Sequence, residues 1–158
     1  MLFRSSLKFS NDFDFRLGGK LPGLTNNGSK FTGGRNSEIG WSARMMWKSK
    51  GKVIAYLYHK NMKGKWGDQL FLQGCSFQRG KWHSIKQHIK INDESSQFGI
   101  LEVYFDGAKA LSYDIDFGSK NLIDSFYFST FYGGSTEDWA PQSTGYIFFD
   151  NFKISVKN

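Results

Sequence analysis

Ser42, Arg44, Tyr56 and Tyr58 lie in two neighbouring runs, WSARMMW at 41–47 and VIAYLYH at 53–59. An arginine can grip a carboxylate through two parallel hydrogen bonds. A phenol, with an ordinary pKa of about 10, moves protons once its surroundings displace that value. Together these groups suit proton transfer beside a carboxylate. Side chains alternate faces along a strand. Trp41, Ala43, Met45 and Trp47 therefore point one way while Ser42 and Arg44 point the other. In the second run Val53, Ala55 and Leu57 oppose Tyr56 and Tyr58 in the same manner. A turn at 48–52 pairing Trp47 with Val53 sets Arg44 opposite Tyr56 and Ser42 opposite Tyr58. Opposed side chains stand about 5 Å apart at Cβ, close enough to share one site. A one-residue slip would bury the arginine and expose the tryptophans, so the assignment of faces is firmer than the pairing. The residues alone leave two readings open, a solvated hairpin face and a functional patch.

The elements that must hold this patch are strands. Period-two alternation runs through 2–9, 41–47, 53–59, 69–72, 82–91, 99–105, 108–115, 124–132 and 145–156, the last with a break near Asp150–Asn151. No helical stripe accompanies them. Asp106-Gly107, between LEVYF and AKALSYDI, is a two-residue hairpin signal. Ser49-Lys50-Gly51, Asn92-Asp93 and the segment 133–144 mark further turns and loops. Short antiparallel strands at this spacing predict an all-β, two-sheet sandwich of the jelly-roll type. A chain of 158 residues without repeats fits one domain. Its apolar content rests on 16 Phe, 7 Tyr and 5 Trp, residues that favour pleated, half-buried surfaces.

The net charge of +7 attracts polyanions, whether nucleic acid, anionic membrane or acidic polysaccharide. One cysteine, Cys75, excludes an internal disulfide and reads as a small core residue. His59, His83 and His88 lack metal-ligand spacing, so no metal or organic cofactor is expected. GLTNNGSK at 23–30 misses the phosphate-binding loop, because its lysine follows the serine and no helix follows. Asn27-Gly28-Ser29 is a glycosylation sequon, meaningful only in a secreted protein. The first ten residues lack the apolar core of a secretory signal, and no stretch approaches a membrane-spanning length.

Several segments in order resemble a known family. They are FDF at 13–15, GGKLPGL at 18–24, WSARMMW, AYLYH, GKWHSI at 80–85, FSTFYGG at 128–134, WAP at 139–141 and FDNF at 149–152. Together they resemble polysaccharide lyase family 14, the alginate and glucuronan lyases, from about residue 8 onward. The resemblance implies a β-jelly roll with a concave substrate cleft. It implies the family's cleft lysine at Lys20, its serine and arginine at Ser42 and Arg44, and its two tyrosines at Tyr56 and Tyr58. Arg35, in GGRNSEIGW, matches a basic cleft-edge position on a looser motif. Gln87 is expected to touch substrate, although it shares strand parity with Ile85 and Ile89 and a core role stays open. Family domains begin upstream of Met1, so a shortened N-terminus and an unpaired strand edge are expected. The native setting implied is secreted or extracellular, and the protein is expected to be a monomer.

The activity implied is β-elimination on a 1,4-linked polyuronate, alginate (polymannuronate especially) or polyglucuronate, leaving a 4,5-unsaturated end. Charge that develops on the uronate carboxylate must be met by fixed cations. Lys20 and Arg44 are assigned that task; Tyr56, its pKa expected to be lowered by these neighbouring cations, is the base and a candidate for the acid too, with Tyr58 assisting and Ser42 orienting substrate or a tyrosine. Two other functions remain in play, a non-catalytic module binding acidic carbohydrate and a single-stranded nucleic-acid binder using aromatic platforms. A complete set of Lys20, Arg44, Tyr56 and Tyr58 favours the lyase, because a binding module needs no base.

Overall fold

A computed structural model of the chain describes residues 1–34, 40–93, 95–118 and 122–156. The described residues form eleven strands and two 3₁₀ turns, at Ser49–Gly51 and Glu137–Trp139. In chain order the strands are β1 (Leu2–Phe9), β2 (Gly18–Thr25), β3 (Ser42–Lys48), β4 (Lys52–Tyr58), β5 (Asp68–Ser76) and β6 (Trp82–Lys90). They continue with β7 (Gly99–Phe105), β8 (Ala108–Ile115), β9 (Ser125–Tyr127), β10 (Phe131–Tyr132) and β11 (Ile147–Ser155). One antiparallel sheet has the order β11-β1-β6-β7-β8, and the other β10-β2-β3-β4-β5 with β9 also paired to β2.

The two sheets meet over one core, to which alternate residues of each strand contribute. Phe3, Leu7 and Phe9 enter from β1, Ile85 and Ile89 from β6, and Leu101 and Val103 from β7. Trp41, just before β3, joins Ala43, Met45 and Trp47 of that strand and Val53, Ala55 and Leu57 of β4 from the other side. Burying large apolar side chains is the main favourable term in folding, and here aromatic rings carry much of it. Phe9 lies within 4.6–5.5 Å, centroid to centroid, of Phe13, Phe15, Phe77 and Trp47.

The β3–β4 hairpin has the register that alternation predicts: Trp47 opposes Val53, Arg44 opposes Tyr56 and Ser42 opposes Tyr58. The β7–β8 turn falls at Asp106-Gly107, both with positive φ, as a two-residue hairpin turn requires. Asp106 also accepts from the Ser84 N–H and pairs with His83 Nδ1 at 2.8 Å, fastening that turn to β6. The expected break in the last strand is a register shift of β11 against β1, with Asn151 at φ 55°. Two expectations are corrected. β2 is a full strand, although its glycines and proline hide the alternation. The run at 124–132 divides into β9 and β10, which both add to β2.

Candidate active site

The site starts from an irregularity in β2. Gly19 lies against the face of Trp47; a Cβ there would sit 2.1 Å from the indole Cζ2 and 2.6 Å from the Phe131 carbonyl oxygen. Only glycine allows this approach, and it seats β2 tightly between β3 and β10. Lys20 then pairs with Met46, but Gly23, three residues further along β2, pairs with Arg44, only two residues away on β3. Leu21 and Pro22 form the bulge between them, and proline could not have donated to the ladder there. Bulges re-aim neighbouring groups. In this one the Leu21 carbonyl accepts from Arg44 Nε at 3.2 Å.

Arg44 is 3% exposed. Besides Leu21 it donates from a terminal nitrogen to the Ser129 carbonyl, and its guanidinium lies 4.8 Å from the Tyr127 ring and 5.5 Å from the Phe131 ring. Two carbonyls and two aromatic faces hold the fork in place without neutralising it. Lys20 Nζ stands 3.1 Å from the centroid of the Tyr56 ring and 2.8 Å from the sulfur of Met46. The Tyr56 and Tyr58 hydroxyls are 3.4 Å apart, with their rings edge to face. Met46, Ile54, Tyr56, Tyr58 and Met62 form a small apolar cluster on this outer face of the sheet.

Two loops cover the patch, and each supplies one backbone donor. The Gly34 N–H donates to the Tyr58 hydroxyl at 2.9 Å, and the Gly67 N–H to the Tyr56 hydroxyl at 3.1 Å. Ser42 Oγ donates to the Phe31 carbonyl at 2.7 Å, tying the first loop down. His59 Nε2 and Asp68 Oδ2, 2.8 Å apart, close the neck of the second. A Cβ on Gly67 would lie 2.7 Å from the Leu57 carbonyl and 3.0 Å from Tyr56 Cζ. Gly67→Ala is therefore expected to move the Tyr56 hydroxyl and lower kcat by roughly tenfold to a hundredfold. Initial rates and a thermal melt on the same preparation separate this from simple unfolding.

Burial decides the electrostatics. Desolvation, helped by the charges of Arg44 and Lys48, lowers Lys20 from 10.5 to about 6. Arg44 drops to about 10 through desolvation, offset in part by nearby tyrosines, and so stays a cation at neutral pH. Tyr56 moves up, through desolvation first and its contact with Tyr58 second, against smaller pulls from the Gly67 N–H and Arg44. The expected lowering of Tyr56 by neighbouring cations is thus outweighed by its burial. Two cavities lie elsewhere, one of about 510 Å³ beside Asp14, Arg16 and Arg79 and one of about 260 Å³ beside His59 and Asp116. Neither is lined by Lys20, Arg44 or the tyrosines.

Residues 1–152 match the family described as polysaccharide lyase 14. The chain belongs to polysaccharide lyase family 14. The solved structure of alginate lyase Aly36B is similar at 27% identity and a TM-score of 0.85, covering 99% of this chain and 70% of that one. A doubly substituted variant of the same enzyme, at 26% identity, is bound to an alginate trisaccharide; its TM-score is 0.85, with 96% and 68% of the two chains covered. The marine PL-14 alginate lyase from Aplysia kurodai is 28% identical with a TM-score of 0.79, over 96% of this chain and 67% of that one. The endo-β-1,4-glucuronan lyase from the fungus Trichoderma reesei shares the fold at 14% identity and a TM-score of 0.64, over 96% and 66%. No match among curated protein sequences was found.

Against this family frame, the structure brings Lys20, Ser42, Arg44, Tyr56 and Tyr58 onto one sheet face. Arg35 lies outside the described residues. Gln87 is corrected: it is fully buried between the sheets, and its side-chain amide donates to the Ala43 carbonyl at 3.2 Å. Its parity with Ile85 and Ile89 places it inward on β6, so the core role prevails over the substrate contact. Met46, Tyr127 and Phe131 also reach the patch without having been singled out as site residues. The parity of Met46 with Ser42 and Arg44 was a usable signal. Nothing in the sequence pointed to the Gly34 and Gly67 donors, because they act through the backbone.

Proposed function

We propose that this chain cleaves a 1,4-linked polyuronate by β-elimination, with Lys20 as the base, Tyr56 as the acid and Arg44 as the carboxylate clamp. The observation that carries the reading is the placement of Lys20. Its amine is held over the Tyr56 ring and against the Met46 sulfur, where burial keeps it unprotonated above about pH 6. A neutral amine accepts a proton; an ammonium cannot. Tyr56, shifted upward, keeps its proton and can give it away. This differs from the expectation drawn from the resemblance, in which Tyr56 is the base and Lys20 a cation, and leaves Arg44 as the cation that meets the carboxylate.

The steps balance as follows. Arg44 pairs with the uronate carboxylate, aided by the Tyr58 hydroxyl, and stabilises the charge that gathers there. The C5–H bond breaks, its proton goes to Lys20 Nζ, and its electrons enter the carboxylate-stabilised enolate. Those electrons form the C4–C5 double bond as the C4–O bond breaks, and Tyr56 protonates the departing oxygen. Return of the proton from Lys20 to the Tyr56 phenolate restores the site. Every step uses groups of the chain and its substrate.

Alginate is the favoured substrate, polymannuronate blocks first, because the more identical relatives are alginate lyases. The test is far-ultraviolet absorbance on polymannuronate, polyguluronate and polyglucuronate, since elimination leaves an absorbing 4,5-unsaturated sugar and hydrolysis does not. On the cleaved polymer kcat is expected to rise with pH through about 6 and then level off, as Lys20 loses its proton. A flat trace on all three polymers from folded protein that still binds them would sink the lyase reading in favour of a binding module.

A further inference from the structure

Lys48 ends β3 and pairs with Gly18, so its side chain leaves the sheet on the face that carries Lys20 and Arg44. It stands one two-residue step past the Lys20–Met46 pair, about 6.8 Å further along the sheet. Its ammonium lies 5.0 Å from the centroid of the Trp139 ring, and among the described residues no carboxylate is paired with it. Trp139 is held flat by two glycines. A Cβ on Gly134 would sit 2.2 Å from its ring atoms, and one on Gly133 3.0 Å away. Burial lowers the pKa of Lys48, and its charge in turn contributes to lowering Lys20. Lys48 is thus an incompletely solvated cation, without an acidic partner among the described residues, beside a flat aromatic ring and next to the base.

This arrangement fits an acidic sugar. A carboxylate completes the ammonium in a charge-assisted hydrogen bond, and an indole offers a broad apolar surface to the C–H face of a pyranose. We propose that Lys48 and Trp139 form the subsite for the uronate adjoining the one that loses its C5 proton. The inference rests on the polyuronate reading above. It makes recognition of that neighbour depend on its carboxylate, so a neutral sugar there loses the ionic half of the contact.

The experiment combines kinetics with retardation in gels containing polymannuronate or polyglucuronate, which reads binding without turnover. Lys48→Gln is expected to raise KM about tenfold at low salt, to flatten the salt dependence of KM and to lose most of the retardation. Rates are compared at pH 9, where Lys20 is deprotonated with or without Lys48. Lys48→Arg restores the charge and most of the affinity. Trp139→Leu weakens retardation but keeps the salt dependence. If Lys48→Gln leaves KM and retardation unchanged and only moves the limb of the pH profile, Lys48 merely tunes Lys20 and the subsite is overturned. A wild-type protein that cleaves no polyuronate, yet is retarded in a manner that needs Lys48, would end the lyase reading and keep Lys48 and Trp139 only as a uronate-binding contact. A wild-type protein that is not retarded at all would overturn the subsite.

Discussion

Lys20→Met is expected to lower kcat by about 10³-fold, within the range for loss of a general acid or base, while KM changes only a few-fold. Methionine keeps the unbranched stem against Met46 and Tyr56 and removes the amine. The rise of kcat through about pH 6 disappears with it, because the titrating group is gone. The same variant is expected to melt at a higher temperature at neutral pH. The folded protein holds Lys20 near 6, whereas the unfolded chain returns it to 10.5, so unfolding takes up a proton between those values. Wild-type stability therefore carries a penalty that is complete below about pH 6 and fades as pH rises towards 10.5. The gain in melting temperature follows it, largest in mild acid and smallest in alkali. Thermal melts from pH 5 to pH 10 and initial rates over the same range check both halves. A variant that keeps the limb near pH 6 would assign that titration to another group and remove Lys20 as the base.

Trp47→Ala costs about 3–5 kcal/mol of folding stability, the usual range for truncating a buried aromatic residue. Trp47 is 1% exposed, and its ring meets Phe9, Phe13 and Tyr132 at 5.5–5.6 Å between centroids. Its indole N–H donates to the Phe15 carbonyl at 3.0 Å, which the truncation leaves unpaired in a buried setting. The effect reaches the site as well, since Gly19 rests on this ring one residue before Lys20. Urea titration followed by circular dichroism gives the stability loss. The surviving folded fraction is expected to show a kcat deficit that Trp47→Phe largely repairs, because a smaller ring still supports β2. Full kcat in folded Trp47→Ala protein would separate the ring from the placement of Lys20.

Much of this was legible without coordinates. Alternation in 41–47 and 53–59 set the faces, and the short turn between them set the pairing of Arg44 with Tyr56 and Ser42 with Tyr58. Such a hairpin is local: a period of two and a tight turn leave few registers that bury Trp41 and Trp47 together. The glycine-rich β2 was not legible as a strand, since GGKLPGL has no alternation to follow, and the resemblance to a family motif singled out only its Lys20. Gln87 shows the limit of parity. It assigned a face, but only the packing of that face against the other sheet, where Gln87 is buried and reaches the Ala43 carbonyl, says that it looks into the core.

Residue order carries the all-β class, the principal hairpin and the four side chains Ser42, Arg44, Tyr56 and Tyr58 that could share a site, because each residue's direction depends on its own strand. Lys20 joined them only through the family resemblance. The proposed division between base and acid rests on tertiary packing. The value of Lys20 depends on how far Met46, Tyr56 and the covering loops exclude water from it, and on Arg44 and Lys48 arriving from another strand. Tyr56 moved up rather than down for the same reason: desolvation by distant segments outweighed the charges beside it. Solvation depends on everything packed around a group, so residue type and spacing could name the participants without assigning their roles.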